Sequence, residues 1–387
     1  MGWFRQGRGQ PEQPDPSGAP DQSANSPSLP GLQGPTSRAG PAGAPRNGAT
    51  SGAAEQVDGS RKHMFLPGAE ADASLHEGRG FVVLGGPQPQ NADIPTVVMD
   101  TEGVSYVMAR GRRLLAEAPD MLPKDANEAR RIDFEHHFLR NTLGGNYAAP
   151  LAQANAILDV GCGVGRWAAE MAALFPNAQV VGFDIVSPLP HALDPIPPNY
   201  RFTRGDALAG LPFPDASFDY THMRLLFTAL PANQWATVVR DLARVTAPGG
   251  WLELLEGGLP TTAGSTTGAV ADPALAALNQ WIKRAGARRG IDLQVGAQIG
   301  GMMQRAGLVN ITFREIYAPT GHEAGRGAQM AAADAIALYE AFRTLVTAEG
   351  IVTPRDYDEA LLATRVALDQ RGSALPFYLA YGQRAGV

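Results

Sequence analysis

The chain has 387 residues, a formal net charge of −6 at pH 7 and one cysteine, Cys162. A single cysteine excludes an internal disulfide framework and a zinc site built from several cysteines, and the negative charge makes nucleic acid an unfavourable partner. No run approaches the roughly 18 uncharged apolar residues that a membrane span needs, and the first residues lack the apolar core of a signal peptide. We therefore expect a cytoplasmic protein that binds neither a membrane nor nucleic acid.

Residues 1–75 are rich in glycine, proline and serine, with few large apolar side chains. Such a segment cannot bury enough apolar surface to offset its ordering entropy, which predicts a disordered tail. In residues 76–150, an N-terminal extension, FVVL and TVVMDTEGVSYVMA favour strands and ARGRRLLAEAP favours a short helix. Asp125 to Asn141 has helical spacing of Ile132, Phe134 and Phe138, and Gly144 follows as a helix exit.

Residues 151–387 alternate short apolar runs with helical runs, which is typical of one α/β domain with a doubly wound, mostly parallel sheet. The predicted strands, seven in number, are Ala156 to Val160, Gln179 to Asp184, Tyr200 to Thr203, Phe218 to Met223, Trp251 to Leu255, Val309 to Ile316 and Leu375 to Tyr381. The predicted helices are Arg166 to Phe175, Ala232 to Thr246, Pro273 to Ala287, Val295 to Ala306, Gln329 to Ala348 and Pro354 to Asp369.

The stretch ILDVGCGVGR places Gly161, Gly163 and Gly165 between the first strand and the first helix of this domain. Glycine is needed at such a turn because a Cβ would block both the backbone conformation and a ligand close to it. Dinucleotide-binding turns space their glycines G-x-G-x-x-G, whereas Arg166 stands here at the third glycine position. The spacing therefore indicates a nucleoside-type ligand other than NAD or FAD.

Further residues follow in the order that such a ligand requires. Asp159 lies just before the first glycine, and Asp184 ends the second strand, where a carboxylate can accept hydrogen bonds from two ribose hydroxyls. Asp206 and Ala207 follow the third strand, where they can meet the adenine edge. The fourth strand reads FDYTHMR and the fifth follows the turn APGG.

The motifs ILDVGCGVG, VVGFDI, GDAL, FPDASFDYTHMR and APGGWLELLE resemble those of class I S-adenosylmethionine-dependent methyltransferases, which have a Rossmann-like sheet. More narrowly, LPKDANEARRIDFEHH, GGNYAAPL, FPNAQVVGFDI and IPPNYRF resemble the LaeA-like group of regulators of fungal secondary metabolism and related small-molecule methyltransferases. The resemblance implies S-adenosylmethionine as cofactor, no metal, and methyl transfer to an O, N or C atom of a small molecule such as one of secondary metabolism.

The resemblance also implies individual contacts. The methionine part of the cofactor would lie along Gly161, Cys162, Gly163 and Gly165, and its ribose and adenine beside Asp184, Ile185, Asp206 and Ala207. Asp159 and His222 are predicted as further cofactor contacts. Arg131 matches an arginine suited to the cofactor carboxylate, on a helix that would cover the cofactor site.

Acceptor contacts are predicted at Arg224, His136 and His137. His222 can act as general base for a hydroxyl acceptor, or pack against the cofactor or bind polar groups of the acceptor. Arg224 can orient an acidic acceptor or form a surface ion pair. The fourth strand lacks the Asn/Asp-Pro-Pro-aromatic signature of enzymes that methylate nucleobase or glutamine amino groups, which favours a small-molecule acceptor.

Two other functions remain open from the sequence. A regulatory protein could keep this fold and bind S-adenosylmethionine, or only a protein partner, without turnover. The second is a nicotinamide-dependent oxidoreductase, although the glycine spacing argues against it.

Overall fold

A computed structural model describes residues 81–83, 96–189, 192–262, 272–321, 324–370 and 373–386. The predicted disordered tail, residues 1–75, lies outside the described residues. In the described part, the extension begins with a four-stranded antiparallel sheet of β1 (Phe81–Val83), β2 (Thr96–Asp100), β3 (Ser105–Ala109) and β4 (Arg112–Leu115). The strands predicted in FVVL and TVVMDTEGVSYVMA correspond to β1, β2 and β3.

The short helix predicted for ARGRRLLAEAP is wrong, because this segment forms a β-hairpin. Ala109 pairs with Arg112, which leaves Arg110 and Gly111 as a two-residue turn with φ angles of 50° and 75°. Two successive residues with positive φ match the twist of a hairpin. Leu114 and Leu115 are buried on β4, so their spacing reflects strand packing and not a helix face.

Helix α1 (Ala126–Leu143) follows the hairpin sheet, close to its predicted position. Its N-cap is Asp125, whose side chain accepts hydrogen bonds from the amides of Asn127 and Glu128. Gly144, with φ of 75°, ends the helix in the left-handed conformation. The cap and the exit therefore fix both ends of the helix.

The remaining elements alternate between strands and helices. In chain order they are β5 (Ala156–Val160), α2 (Arg166–Leu174), β6 (Gln179–Asp184), β7 (Tyr200–Arg204), β8 (Phe218–Arg224), α3 (Trp235–Val245), β9 (Thr246–Gly257), β10 (Thr261–Thr262), α4 (Pro273–Arg288), α5 (Ile299–Arg305), β11 (Leu308–Pro319), α6 (Arg326–Ala348), α7 (Pro354–Gln370) and β12 (Ser373–Arg384). The helix predicted from Val295 is divided into a 3-10 turn, Val295–Gln298, and α5.

The main sheet has the order β7-β6-β5-β8-β9-β12-β11, and the two-residue β10 also pairs with β12. Strands β5 to β9 pair with one another in parallel, whereas β12 is antiparallel to both β9 and β11. The predicted fold class, a doubly wound and mostly parallel seven-stranded sheet, is confirmed. The order reverses at β5, so the carboxyl ends of β5, β6 and β8 border the crevice where such sheets bind ligands.

Central strands of this sheet are covered on both faces, which explains why their sequences are nearly continuous apolar runs. Ile157, Leu158 and Val160 of β5 have no exposed surface. Over the described residues, no helix combines the length and apolar character that crossing a membrane would require.

Candidate functional site

The turn between β5 and α2 contains the three glycines that the sequence singled out. Gly161, Gly163 and Gly165 have φ angles of 70°, 55° and 79°, in the left-handed region that other residues rarely adopt. A Cβ added at Gly161 would lie 2.7 Å from Cδ2 of Leu226, and one added at Gly163 would lie 3.6 Å from Ile132. The turn therefore runs close to two other segments, the loop after β8 and helix α1.

Cys162 lies inside this turn and is buried. Its amide and that of Gly161 donate to the carbonyl oxygen of Phe183, at 3.2 and 2.8 Å, which ties the turn to β6. Burial raises the pKa of the Cys162 thiol well above its usual value. A thiol that resists ionisation in an apolar surrounding is a packing group and not a nucleophile.

A cleft beside the turn brings together residues from five parts of the chain. Gly161, Asp184, Ile185, Asp206 and Ala207, all predicted to contact the cofactor, line it together. The other lining residues, which the sequence analysis did not identify, are Leu115, Ala118, Pro119, Asp120, Lys124, Phe183, Gly205, Leu208, Leu226, Ala229 and Leu230. The structure thus assembles the predicted ribose and adenine residues into one cavity.

Asp184 is held in a single orientation at the end of β6. Its Oδ2 accepts from the amide of Gly163 at 2.9 Å and its Oδ1 accepts from the amide of Val186 at 3.1 Å. Burial raises the pKa of Asp184, against the opposing effects of Lys124 and these two amides. Each carboxylate oxygen keeps a second lone pair, so the group can accept two further hydrogen bonds from a ligand in the cleft.

Asp206 has a local structural role in addition to its place in the cleft. Its Oδ1 accepts from the amide of Leu208 at 2.8 Å and caps the short 3-10 turn Ala207–Ala209. The carboxylate therefore fixes the backbone of Ala207 at the cleft wall, whether or not it also contacts a ligand.

Asp120 and Lys124 are cleft residues that the sequence analysis missed. The Nζ atom of Lys124 lies 2.5 Å from Oδ2 of Asp120, and Nε of Arg113 donates to the carbonyl of Lys124 at 2.6 Å. Burial alone would lower the pKa of Lys124, but Asp120 and Asp184 raise it. The available signal was their position in DMLPKD, directly before the helix expected to cover the cofactor.

His222 and Asp159 occupy adjacent positions on the paired strands β8 and β5. Nδ1 of His222 lies 2.8 Å from Oδ1 of Asp159, and the imidazole stacks on Trp167 with ring centroids 3.8 Å apart and an interplanar angle of 8°. Only 1% of His222 is exposed. A general base must reach the proton that it removes, whereas this imidazole is enclosed by Asp159 and Trp167.

Arg131 lies between α1 and α6 and is surrounded by carboxylates. Its guanidinium is 2.8 Å from Oε1 of Glu128, 3.0 Å from Oε1 of Glu135 and 3.6 Å from Oδ1 of Asp334. Burial alone would lower the pKa of Arg131, yet these three groups raise it well above its usual value. The charge predicted to bind the cofactor carboxylate is therefore already compensated inside the protein.

His136 and Arg224 contact each other near the end of β8. Nη2 of Arg224 lies 2.9 Å from Nδ1 of His136, and Nε2 of His136 lies 3.2 Å from Oε1 of Glu170. His137, in contrast, has a side chain that is 44% exposed. Ligand atoms of these two histidines and Glu170 lie within 4.8 Å of one another. Because Arg224 and Arg140 also bond to this group, two cations already occupy its polar atoms.

A methyltransferase domain model matches residues 157–250, the segment that contains the glycine turn and strands β5 to β8. The chain is 38% identical to the methyltransferase str2 of Strobilurus tenacellus, over 35% of this chain and 48% of that protein. It is 27% identical to the N-methyltransferase sirN of Leptosphaeria maculans, over 70% of this chain and 97% of that protein. The chain spans about half the length of str2 and of its relative str3.

The secondary metabolism regulator laeA of Coprinopsis cinerea is 33% identical over 35% of each chain. Among solved structures, the YcgJ protein of Bacillus subtilis is 19% identical, with a TM-score of 0.40 over 65% of this chain and all of that one. The phosphoethanolamine N-methyltransferase 2 of Haemonchus contortus, in complex with S-adenosyl-L-methionine, is 16% identical, with a TM-score of 0.40 over 66% of this chain and 52% of that one.

Proposed function

We propose that this chain, which belongs to the class I S-adenosylmethionine-dependent methyltransferases, transfers a methyl group to an O, N or C atom of a small molecule. The observation that carries the proposal is the orientation of Asp184. Two backbone amides fix its carboxylate at the end of β6, in the cleft beside the glycine turn. This is the position from which a carboxylate accepts hydrogen bonds from both ribose hydroxyls of a nucleoside.

The residues of the cleft fit an adenosyl cofactor. Asp184 would hold the ribose, while Ile185, Ala207 and the backbone fixed by Asp206 would surround the adenine. The left-handed glycines keep the turn free of Cβ atoms where the methionine part would pass. Lys124 is close enough to Asp184 to influence its pKa and favours its ionised form, which is the form that accepts hydrogen bonds.

S-adenosylmethionine supplies an electrophilic methyl group on a sulfonium sulfur. Transfer is an in-line displacement, so the chain has to hold the acceptor atom about 3 Å from that methyl group and exclude water. A catalytic base is not required for this chemistry when the acceptor is already nucleophilic. Burial of His222 against Asp159 and Trp167 is consistent with transfer that depends on positioning.

A small-molecule acceptor is supported by the composition of β8 and by the relatives. The strand reads Asp219-Tyr220-Thr221-His222, without the signature of amino-group methylation on nucleobases or glutamine. The relatives sirN, verN and tcpN carry the name N-methyltransferase. We propose that this protein is likewise a small-molecule methyltransferase, acting on a compound of secondary metabolism at an atom that the sequence does not identify.

Thermal shift with S-adenosylmethionine, S-adenosylhomocysteine and NADH tests the cofactor, since a ligand that binds only the folded state raises the melting temperature. Both adenosyl ligands are expected to raise it and NADH is not. Candidate acceptors are then screened with radiolabelled S-adenosylmethionine. Stabilisation by NADH alone would overturn the cofactor assignment. Tight S-adenosylhomocysteine binding without transfer to any small molecule would favour a regulatory protein.

A further inference from the structure

Arg224 lies at the end of β8, close in the sheet to the glycine turn and in contact with helix α1. Met223 pairs with Val160, so Arg224 lies at the end of β8 next to the start of the glycine turn. Helix α1 passes over the same turn, with Ile132 against Gly163, and His136 one turn further along α1 contacts the Arg224 guanidinium. Arg224 therefore follows the strand position beside the start of the glycine turn, and its guanidinium contacts α1.

The contact with His136 does not neutralise Arg224. Arginine can only donate, so Nδ1 of His136 must accept, which requires a neutral imidazole that carries its proton on Nε2. That Nε2 atom lies 3.2 Å from Oε1 of Glu170. Burial and the neighbouring Arg224 lower the pKa of His136 to about 4, in agreement with the neutral form.

Glu170 anchors the other end of this chain of contacts. Its Oε2 accepts from Nη1 of Arg140 at 2.9 Å and from Nδ2 of Asn146 at 3.0 Å. Burial would raise the pKa of Glu170, but these hydrogen bonds lower it to about 2. A fixed carboxylate therefore orients the imidazole, and the imidazole orients the guanidinium.

Arg131 and Arg224 differ in the carboxyl groups that contact them. Arg131 has three carboxylates within 3.6 Å. Within the described ranges, no carboxylate oxygen comes within 4.0 Å of an Arg224 nitrogen. A partly buried cation whose hydrogen-bond partner is neutral attracts an anion, and the planar guanidinium fork suits a carboxylate.

We propose that Arg224, positioned by His136 and Glu170, binds the α-carboxylate of the cofactor's methionine part, the role that the sequence assigned to Arg131. This inference rests on the proposed function, because it takes S-adenosylmethionine as the cofactor. It adds a residue of β8 to the cofactor site and leaves Arg131 as a structural group between α1 and α6.

Calorimetric titration with two ligands isolates the carboxylate. S-adenosylhomocysteine carries the amino-acid part and 5′-methylthioadenosine lacks it. Arg224→Gln is expected to weaken S-adenosylhomocysteine binding by about tenfold to a hundredfold, the size of one or two charge-assisted hydrogen bonds, with 5′-methylthioadenosine binding within twofold of the wild type. Retained binding of 5′-methylthioadenosine also shows that the variant is folded.

Arg343→Gln provides the matched control, because it removes the same charge from an arginine that pairs with Asp358 on α7. Both affinities should be unchanged in this variant. His136→Ala should reduce the preference for S-adenosylhomocysteine over 5′-methylthioadenosine. His136→Asn should restore it, since the Asn side-chain oxygen can accept from Arg224 at the former Nδ1 position.

Unchanged S-adenosylhomocysteine binding in Arg224→Gln would overturn the inference, as would an equal loss for both ligands. Intact cofactor binding with a raised KM for an acidic acceptor would assign the guanidinium to the acceptor instead. Failure of the wild-type chain to bind S-adenosylhomocysteine would overturn the proposed function itself, which is a separate result.

Discussion

Asp159 and His222 face each other on neighbouring strands, with the carboxylate oxygen 2.8 Å from Nδ1 of the imidazole and both side chains almost completely buried. Trp167 of α2 covers the imidazole face to face. The pair thereby connects β5, β8 and α2 directly beneath the glycine turn. His222 therefore stabilises the packing of the two strands and the helix that flank the glycine turn.

We expect His222→Ala to lower the free energy of unfolding by about 3 kcal/mol. The change leaves the Asp159 carboxylate buried without its partner and removes the ring that stacks on Trp167. Urea unfolding measures the loss, with the exposed His137→Ala as a control that should change stability by less than about 0.5 kcal/mol. A fully stable His222→Ala variant that binds cofactor but transfers no methyl group would instead show a catalytic histidine.

Asp184→Ala should weaken S-adenosylhomocysteine binding at least about tenfold, because it removes the proposed acceptor of two ribose hydrogen bonds. The ribose is remote from the reacting carbon, so the loss should appear mainly in the cofactor KM and not in kcat. Calorimetry on a variant shown to be folded by circular dichroism gives the affinity. Asp215→Ala, an exposed carboxylate in a surface ion pair, is the control. A wild-type Kd in folded Asp184→Ala would remove the ribose assignment.

Asp334→Asn is expected to make the protein more stable than the wild type at pH 7. Burial and the nearby Glu135 raise the pKa of Asp334 well above its usual 3.8. A raised folded-state pKa contributes stability below the unfolded-state pKa, and that stability is lost as the pH rises through the folded-state value. The advantage of the variant should therefore shrink as the pH is lowered towards 4.

Melting temperatures of both proteins between pH 4 and pH 8 test this trend. Asp358→Asn should show the opposite trend. A hydrogen bond from Arg343 lowers the pKa of Asp358, so the ionised carboxylate stabilises the folded protein at neutral pH and this stabilisation is lost as the pH falls. Destabilisation of Asp334→Asn at pH 7 would show that Arg131 needs the ionised Asp334 carboxylate.

The neutral form of His136 makes the stability of the folded protein depend on pH in the direction opposite to that expected for Asp334. Its folded-state pKa of about 4 is below the usual 6.5. Its contribution is therefore present above pH 6.5 and is lost as the pH falls towards 4, with a total size of about 3 kcal/mol. Unfolding experiments at pH 7.5 and pH 4.5 should show a smaller difference in His136→Asn than in the wild type. Equal pH dependence in both proteins would contradict a buried neutral imidazole.

The local sequence pattern predicted most of the main sheet to within a few residues. Strands β5 and β6 begin and end where the apolar runs do, since parallel strands covered on both faces require continuous apolar side chains. The extension was harder to predict. Leu114 and Leu115 fit a helix or a strand equally well, and the positive φ angles of Arg110 and Gly111 decided for a hairpin.

The sequence by itself determined the order of the elements, the glycine turn and the carboxylate at the end of β6, because hydrophobic period and glycine spacing are local properties of the chain. Only the tertiary structure decided which of the two arginines meets a carboxyl group from another element. Asp334 of α6 reaches Arg131, whereas Arg224 meets the neutral imidazole of His136. The electrostatic state of a buried group depends on neighbours from distant segments, and these become neighbours only when α1, α6 and β8 pack together.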